Sequence, residues 1–162
     1  MPSKQILEIK KQEVKEIKKS IEGASSFIII DYKGLTVEQD TQLRNEFRKA
    51  GVKYQVLKNR LVKIALNEMG KTEFDEYLNG TSSVAFGSQD ISAPARIALQ
   101  KATEFKKMKL KCGFADGTFL NEAGCKELAT LPSKEILIAK LLYVLQAPIS
   151  KLAMALKAVS EK

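Results

Sequence analysis

The sequence contains no histidine, no tryptophan and only two cysteines among its 162 residues. Histidine is the usual general base near neutral pH, the commonest metal ligand and the central member of a hydrolytic triad. Its absence excludes most hydrolases. Cys112 and Cys125 have no second pair beside them, which fits neither a zinc-ligand spacing nor a disulfide framework. We therefore expect no cofactor or metal, and we expect the two thiols to be buried.

Glycine and proline are also scarce, with nine and four residues, and 44% of the chain is hydrophobic. This composition excludes a fibrous or disordered chain and predicts one packed domain with an appendage. No nucleotide-binding glycine loop is present. The amino terminus lacks an apolar leader, and we see no apolar run near the ~18 residues of a membrane span. We expect a cytoplasmic protein.

Acidic residues are fewer than basic ones: 19 Asp and Glu accompany 27 Lys and Arg, for a net charge of +8. This balance favours nucleic acid or an anionic membrane as partner, with acidic substrates third. The imbalance concentrates in residues 44–63, where Glu46 is the one acidic residue. Because acidic side chains are not interleaved, a nucleic-acid backbone site is favoured over a solvated face. The basic residues are Arg44, Arg48, Lys49, Lys53, Lys58, Arg60 and Lys63.

Three further features of the charge pattern bear on this site. Residues 58–60 lie where a helix is expected to begin, and the free amides and dipole of a helix N-terminus favour phosphate. Tyr32 and Tyr54 are able to stack on bases, although their strand pattern favours packing. A second cluster fits a solvated surface and a contact site equally well. It comprises Lys106, Lys107, Lys109 and Lys111.

Hydrophobic periodicity predicts helices alternating with short strands. An amphipathic helix occupies the first 22 residues, and a buried strand follows at 27–30. Thr36 and Gln39 form a capping box that begins a second helix near residue 37, and Gly51 ends it. Apolar residues at helical spacing carry the first helix: Leu7, Val14, Ile17 and Ile21.

The middle of the chain continues the alternation. Val52, Tyr54 and Val56 predict a strand with one buried face, and Asn59 is expected to cap a helix over 60–69 whose Ile64 faces inward. Further elements are expected as strands at 83–86 and 110–114, a helix from Pro94 and a small helix at 122–128. Four short strands with two main crossover helices match an α+β split β-α-β domain (ferredoxin-like, or alpha-beta plait), with helices on one face of a mostly antiparallel sheet. A doubly wound parallel sheet remains the alternative.

The segment after Leu131 predicts a long protruding helix, too long for the small domain. Its apolar residues cover more of the circumference than a surface helix needs, so we expect partners on more than one side. Residues 141–147 and 152–158 repeat at eleven residues, close to three helical turns, which indicates two docking segments. We divide the chain into a domain at 1–130 and a docking helix at 131–162. The candidate docking residues are Leu137, Leu141, Leu142, Leu145, Ile149, Leu152, Leu156 and Val159.

Several sequence words in order resemble the bacterial ribosomal stalk-base family, protein ten of the large subunit. They include Asp31-Tyr32-Lys33-Gly34-Leu35-Thr36-Val37, Arg48-Lys49-Ala50-Gly51-Val52 and Val56-Leu57-Lys58-Asn59-Arg60-Leu61. Gly113-Phe114-Ala115-Asp116-Gly117 and Leu128-Ala129-Thr130-Leu131-Pro132-Ser133-Lys134-Glu135 extend the likeness over nearly the whole chain. One departure is Ile136, where the family favours Glu, which weakens the capping box of the last helix.

The resemblance implies a ribosome-bound scaffold that is not an enzyme. Its globular domain is expected to bind large-subunit ribosomal RNA beside a neighbouring stalk-base protein, and its last helix to carry two dimers of the acidic stalk protein. These dimers recruit translation factors and stimulate their GTP hydrolysis. The candidate RNA-binding residues are Lys33, Gly34, Arg44, Arg48, Lys53, Lys58, Asn59, Arg60 and Lys63.

Two other functions compete with this interpretation. A membrane-surface protein would use the lysines of the last helix as an interfacial anchor, but that helix lacks Trp and Phe and the main positive cluster lies elsewhere. An enzyme acting on nucleic acid needs a metal or a general base, and no histidine or clustered acidic pair supplies one. We therefore expect no membrane partner.

Overall fold

The computed structural model describes residues 4–88 and 90–160. The chain divides into two compact units, residues 1–131 and residues 132–162. The first unit is a mixed α and β domain, and the second contains one long helix. The functions assigned above to residues 1–130 and 131–162 stay predictions.

Helices and strands alternate along the first unit. The helices are α1 (Lys4–Glu22), α2 (Val37–Lys49), α3 (Asn59–Glu68), α4 (Ala93–Phe105) and α5 (Glu122–Thr130), with a short 3₁₀ helix at Thr72–Phe74. The strands are β1 (Ser26–Asp31), β2 (Lys53–Val56), β3 (Ser83–Gly87), β4 (Lys109–Ala115) and β5 (Thr118–Leu120). The second unit holds α6 (Lys134–Ser160).

The five strands form one sheet in the order β2-β3-β1-β4-β5, and each neighbouring pair is antiparallel. The first four strands follow the split β-α-β plan, since β3 lies between β1 and β2 while α2 and α4 make the crossovers. The predicted α+β class is confirmed, and the parallel alternative is excluded by the antiparallel pairing. Strand β5 was not predicted. It pairs with β4 through a tight turn in which Asp116 and Gly117 both have positive φ, 51° and 84°.

Helices cover both faces of the sheet, so the expected one-sided cover is wrong. On one face Ile28 and Ile30 pack in a core with residues of α2, α4 and α5. On the other face Phe27 and Ile29 pack with residues of α1 and α3. The reason lies in β1, where the apolar residues Phe27 to Ile30 alternate between the two faces and are all buried, so each face requires a cover. The extra helices α1 and α3 supply the second cover.

Local signals at the ends of α2 act as predicted. The Thr36 hydroxyl accepts from the Gln39 amide, and the Gln39 side chain accepts from the Thr36 amide, so the capping box is confirmed. Gly51 follows α2 with φ +69°, a left-handed conformation that favours a residue without Cβ. The chain therefore turns directly into β2.

Three predictions around α3 are wrong: the N-cap residue and the burial of Val56 and of Ile64. Lys58, not Asn59, occupies the N-cap, and it makes no side-chain cap bond within the described part of the chain. Asn59 is the first helical residue. Val56 is 44% exposed because β2 is the edge strand, and Ile64 is 42% exposed because it lies at a groove between α1 and α3. Leu61 and Ala65, which were also expected to face inward, are buried as predicted, together with Val62.

Candidate RNA-binding surface and C-terminal helix

The start of α3 contributes two cations to a groove that it forms with α1. The groove has a volume of about 690 Å³, and Lys58 and Arg60 line it from α3. From α1 come Lys10, Lys11 and Lys15, which the charge pattern of residues 44–63 does not include. Glu68 is the acidic residue among its lining. Packing of α1 against α3 thus concentrates five positive charges where the sequence predicted two.

Lys53 lies at the beginning of a second groove, which runs between α1 and β2. Lys53 and Lys58 both line this groove, and the Lys53 ammonium donates to the Ser20 hydroxyl at 3.2 Å. Glu13 and Glu16 face the same groove, so its charge is mixed. Lys58 belongs to both grooves. It joins them into one surface, which we call the cationic surface: Lys10, Lys11, Lys15, Lys53, Lys58 and Arg60.

Arg44 forms part of a stacked arrangement on α2 and β2. Its Nε donates to Asp40 at 2.8 Å, and this hydrogen bond raises the pKa of the guanidinium. The Arg44 guanidinium carbon also lies 5.2 Å from the centre of the Tyr54 ring, which stacks on Phe47 at 5.1 Å. Tyr54 is therefore packed, as its strand pattern favoured. The structure does not place Arg44 on the cationic surface.

The other predicted cations are dispersed. Lys63 forms an ion pair with Asp75 at 3.0 Å, and both partners remain partly exposed. Arg48 and Lys49 are exposed in the last turn of α2. The nearly unbroken run of positive charge in sequence thus becomes three separate places in space. Only Lys53, Lys58 and Arg60 of that run line the grooves of the cationic surface.

Asn59 fixes the loop that approaches α3. Its side-chain amide donates to the carbonyls of Leu78 at 3.1 Å and Gly80 at 2.6 Å. These bonds hold the loop before β3 against the beginning of α3. Asn59 stays a predicted RNA contact, but the structure gives it a clear role in positioning the neighbouring backbone.

A charged network continues from this loop to β1 and β4. The Lys111 ammonium donates to the carbonyls of Asn79 and Thr81 and lies 3.7 Å from an Asp31 carboxylate oxygen. Burial raises the pKa of Asp31, but hydrogen bonds from Thr81 and the Lys33 amide and the charge of Lys111 outweigh it, so the pKa lies below its usual 3.8. Lys111, a member of the second lysine cluster, therefore has a structural role in holding this loop.

Lys33 and Gly34 lie in the turn after β1, beside another lysine of that cluster. Gly34 has φ +86°, and a Cβ placed on it would lie 3.8 Å from Cδ of Lys107. Lys33 and Lys107 are both exposed. This turn brings the predicted contacts Lys33 and Gly34 next to the second lysine cluster, which the sequence pattern alone did not indicate.

The two cysteines are free thiols, and both are buried as predicted. Burial raises the pKa of Cys112 to about 12 and the pKa of Cys125 to about 11, so neither is a ready thiolate near neutral pH. Within residues 4–88 and 90–160, no group of three or more acidic or cysteine side chains is arranged to hold a metal ion.

Helix α6 has none of its described side chains buried. The predicted docking residues are all exposed, with Leu141 at 60% and Leu156 at 64%. The helix is continuous through Pro148 and is apolar over most of its circumference. Such a surface is typical of a helix that binds other proteins.

The same helix corrects one expectation from the sequence. By length and composition alone, Lys134–Ser160 is long and apolar enough to cross a membrane, with a mean hydropathy of 1.5 in its most apolar window. We expected no apolar run of this length. Lys140 and Lys151 interrupt the apolar residues, but the mean hydropathy of the window stays high in spite of them. A single helix that meets this criterion is weak evidence for a membrane span.

Taken together, these observations define an α+β protein with a cationic surface on its first unit and an exposed apolar helix in its second unit. A family model described as "Ribosomal protein L10" matches residues 5–103, and one described as "Ribosomal protein uL10 C-terminal region" matches residues 131–162. The chain belongs to the ribosomal protein L10 family.

Curated relatives agree with this assignment over almost the full length. The chain is 46% identical over 157 residues to "Large ribosomal subunit protein uL10" of Clostridioides difficile (strain 630), covering 96% of this chain and 94% of that protein. It is 42% identical to the proteins of the same name from Alkaliphilus metalliredigens (strain QYMF) and Macrococcus caseolyticus (strain JCSC5402), with 97% and 99% of this chain and 95% and 93% of those proteins covered. The family is one of structural ribosomal proteins and not of enzymes. Because the chain belongs to it, the chain is a protein of the large ribosomal subunit, bound to ribosomes in the bacterial cytoplasm.

Proposed function

We propose that this chain binds large-subunit ribosomal RNA at the base of the ribosomal stalk and anchors two dimers of the acidic stalk protein. The domain at residues 1–130 makes the RNA contact, and the helix at residues 131–162 carries the dimers. A neighbouring stalk-base ribosomal protein shares the site on RNA. The observation that carries the proposal is that the two units of one chain have surfaces of different chemistry. The first unit has the cationic surface, and the second unit has an exposed apolar helix.

The RNA contact rests on the charge and location of the cationic surface. Lys58 and Arg60 lie at the beginning of α3, where backbone amides and the helix dipole add to the attraction for phosphate. Three lysines from α1 line the same groove. Phosphate contacts of this kind supply most of the affinity of an RNA-binding protein. Lys33 and Gly34, beside Lys107, form a second contact at the turn after β1.

Anchoring of the stalk protein rests on the exposed apolar surface of α6. An exposed helix of this size is unfavourable in water unless a partner covers it. Helices with an exposed apolar face commonly bind in a hydrophobic groove of a partner protein. The eleven-residue repeat offers two docking segments, around Leu141–Leu145 and Leu152–Leu156, so each takes one dimer.

Native mass spectrometry of the chain co-expressed with acidic stalk protein tests the stoichiometry. We predict four stalk-protein copies on the full chain. Deletion of residues 150–162 should leave two copies, because the first docking segment remains intact. Replacing Leu141 and Leu145 by Ala in the full chain is the matched control, and it should also leave two. Six copies on the full chain, or none after the deletion, would contradict the two-segment proposal.

A further inference from the structure

The groove between α1 and α3 combines an apolar floor with a positive rim. Val14 and Leu61 are largely buried in the floor, and Ile64 is 42% exposed beside them. The rim consists of Lys10, Lys11, Lys15, Lys58 and Arg60, with Glu68 as the acidic residue in the lining. A site for phosphate alone needs the rim but gains nothing from an exposed isoleucine. The floor therefore indicates a ligand that is apolar as well as anionic.

We infer that this groove binds an unpaired nucleobase of the RNA, while the lysines and the arginine hold the phosphates on either side of it. Specific RNA recognition usually involves loops, bulges and ends, whose unstacked bases can leave the helix. An aliphatic floor removes the exposed base from water, and the rim neutralises the backbone that follows it. The groove thus selects a bulged or looped RNA over a continuous duplex.

Two observations favour RNA as the occupant. The groove is continuous with the proposed RNA-binding surface, since Lys58 lines both this groove and the one beside β2. Its volume of about 690 Å³ lies within the usual range for pockets that enclose a small organic group. The inference rests on the proposed function, and it adds the part of the RNA that this site recognises.

The structure supplies a matched pair of variants to test the inference. Ile64→Ala removes the exposed part of the floor without changing charge. Ile9→Ala is its control, because Ile9 is an exposed residue of α1, 55% accessible, outside the groove lining. Lys10→Ala removes one charge from the rim. All three positions are exposed, so the full chain should remain folded.

Binding of the full chain to a large-subunit ribosomal RNA fragment is measured over a range of salt concentrations. Ile64→Ala should weaken binding about five- to ten-fold at every salt concentration with an unchanged slope, because the lost contact is apolar. Ile9→Ala should change affinity less than about two-fold. Lys10→Ala should lower the slope of log affinity against log salt by about one unit, because one phosphate contact is lost.

The possible failures are distinguishable. Equal affinities for Ile64→Ala and Ile9→Ala, with a reduced slope after neutralising Lys58 and Arg60, would overturn the nucleobase site and leave the proposed RNA binding in place. Absence of salt-dependent binding by the unmodified chain would overturn both. If polyglutamate binds the chain, and Ile64→Ala weakens that binding but not RNA binding, the groove takes an acidic protein segment and the inference is wrong.

Discussion

At the scale of single residues, Gly51 shows how one backbone angle connects two elements. Its φ of +69° lies in the left-handed region, and a Cβ there would meet no atom within 4 Å. Backbone strain is therefore the main cost of a side chain. We predict that Gly51→Ala lowers the free energy of unfolding by about 1 kcal/mol and that Gly51→Asn costs less, since Asn tolerates this region. Urea unfolding of both variants measures the difference, and equal midpoints for the alanine variant and the parent would contradict it.

Asp31 is the residue whose charge ties the sheet end to the loop before β3. The pKa of Asp31 in the folded chain lies below 3.8, so its ionised form stabilises the fold at every pH above the pKa of the unfolded chain. This stabilisation is lost as the pH falls through the pKa of the folded chain. We predict that unfolding stability decreases more between about pH 5 and pH 3 in the parent than in Asp31→Asn. Denaturant titrations at several pH values measure this. Parallel pH profiles would show that the carboxylate has no such role.

At the scale of elements, α6 differs from every helix of the first unit because its apolar side chains are exposed. We predict that the full chain self-associates in isolation and that a chain ending at Thr130 does not, since both apolar cores lie before that residue. Light scattering distinguishes the two. The shortened chain should retain RNA binding as its control. A monomeric full-length chain would remove the basis for the docking proposal.

Sequence periodicity predicted most elements of the fold, because the apolar spacing and the caps are local. The capping box at Thr36 and the turn at Gly51 are examples. Strand β5 was not predicted, because three residues are too few to show an alternating hydrophobic pattern. The exposure of Ile64 and Val56 was not predicted either. It depends on which strand lies at the edge of the sheet and on which helix packs beside α3. Such facts are set by tertiary contacts.

The same limit applies to the candidate site. The sequence identified Lys53, Lys58 and Arg60 from a stretch with little acidic charge, and the structure places them together. It did not identify Lys10, Lys11 and Lys15, because α1 mixes lysine with glutamate and its pattern reads as an ordinary solvated helix. Only the packing of α1 against α3 shows that its lysines join the others. Conversely, Arg44 and Lys63 are positive in sequence but engage Asp40 and Asp75 in the fold.

At the scale of the whole molecule, the two compact units divide both charge and hydrophobicity. The first unit has two buried cores and carries the cationic surface, and the second unit carries exposed apolar residues on one helix. Under the proposed function, the cationic surface binds RNA and α6 binds protein. The separation predicts that a change in one surface leaves binding by the other intact.

The central claim is that the cationic surface binds RNA phosphates, and salt dependence tests it most directly. Affinity of the full chain for a large-subunit ribosomal RNA fragment should fall steeply as salt rises, because each phosphate contact releases a counterion. Neutralising Lys58 and Arg60 together should reduce the slope of log affinity against log salt by about one to two units. Lys126→Ala, on α5 and paired with Glu122, removes one positive charge outside the cationic surface and should leave the slope unchanged. An unchanged slope in the double variant would contradict the claim and place the RNA elsewhere on the protein.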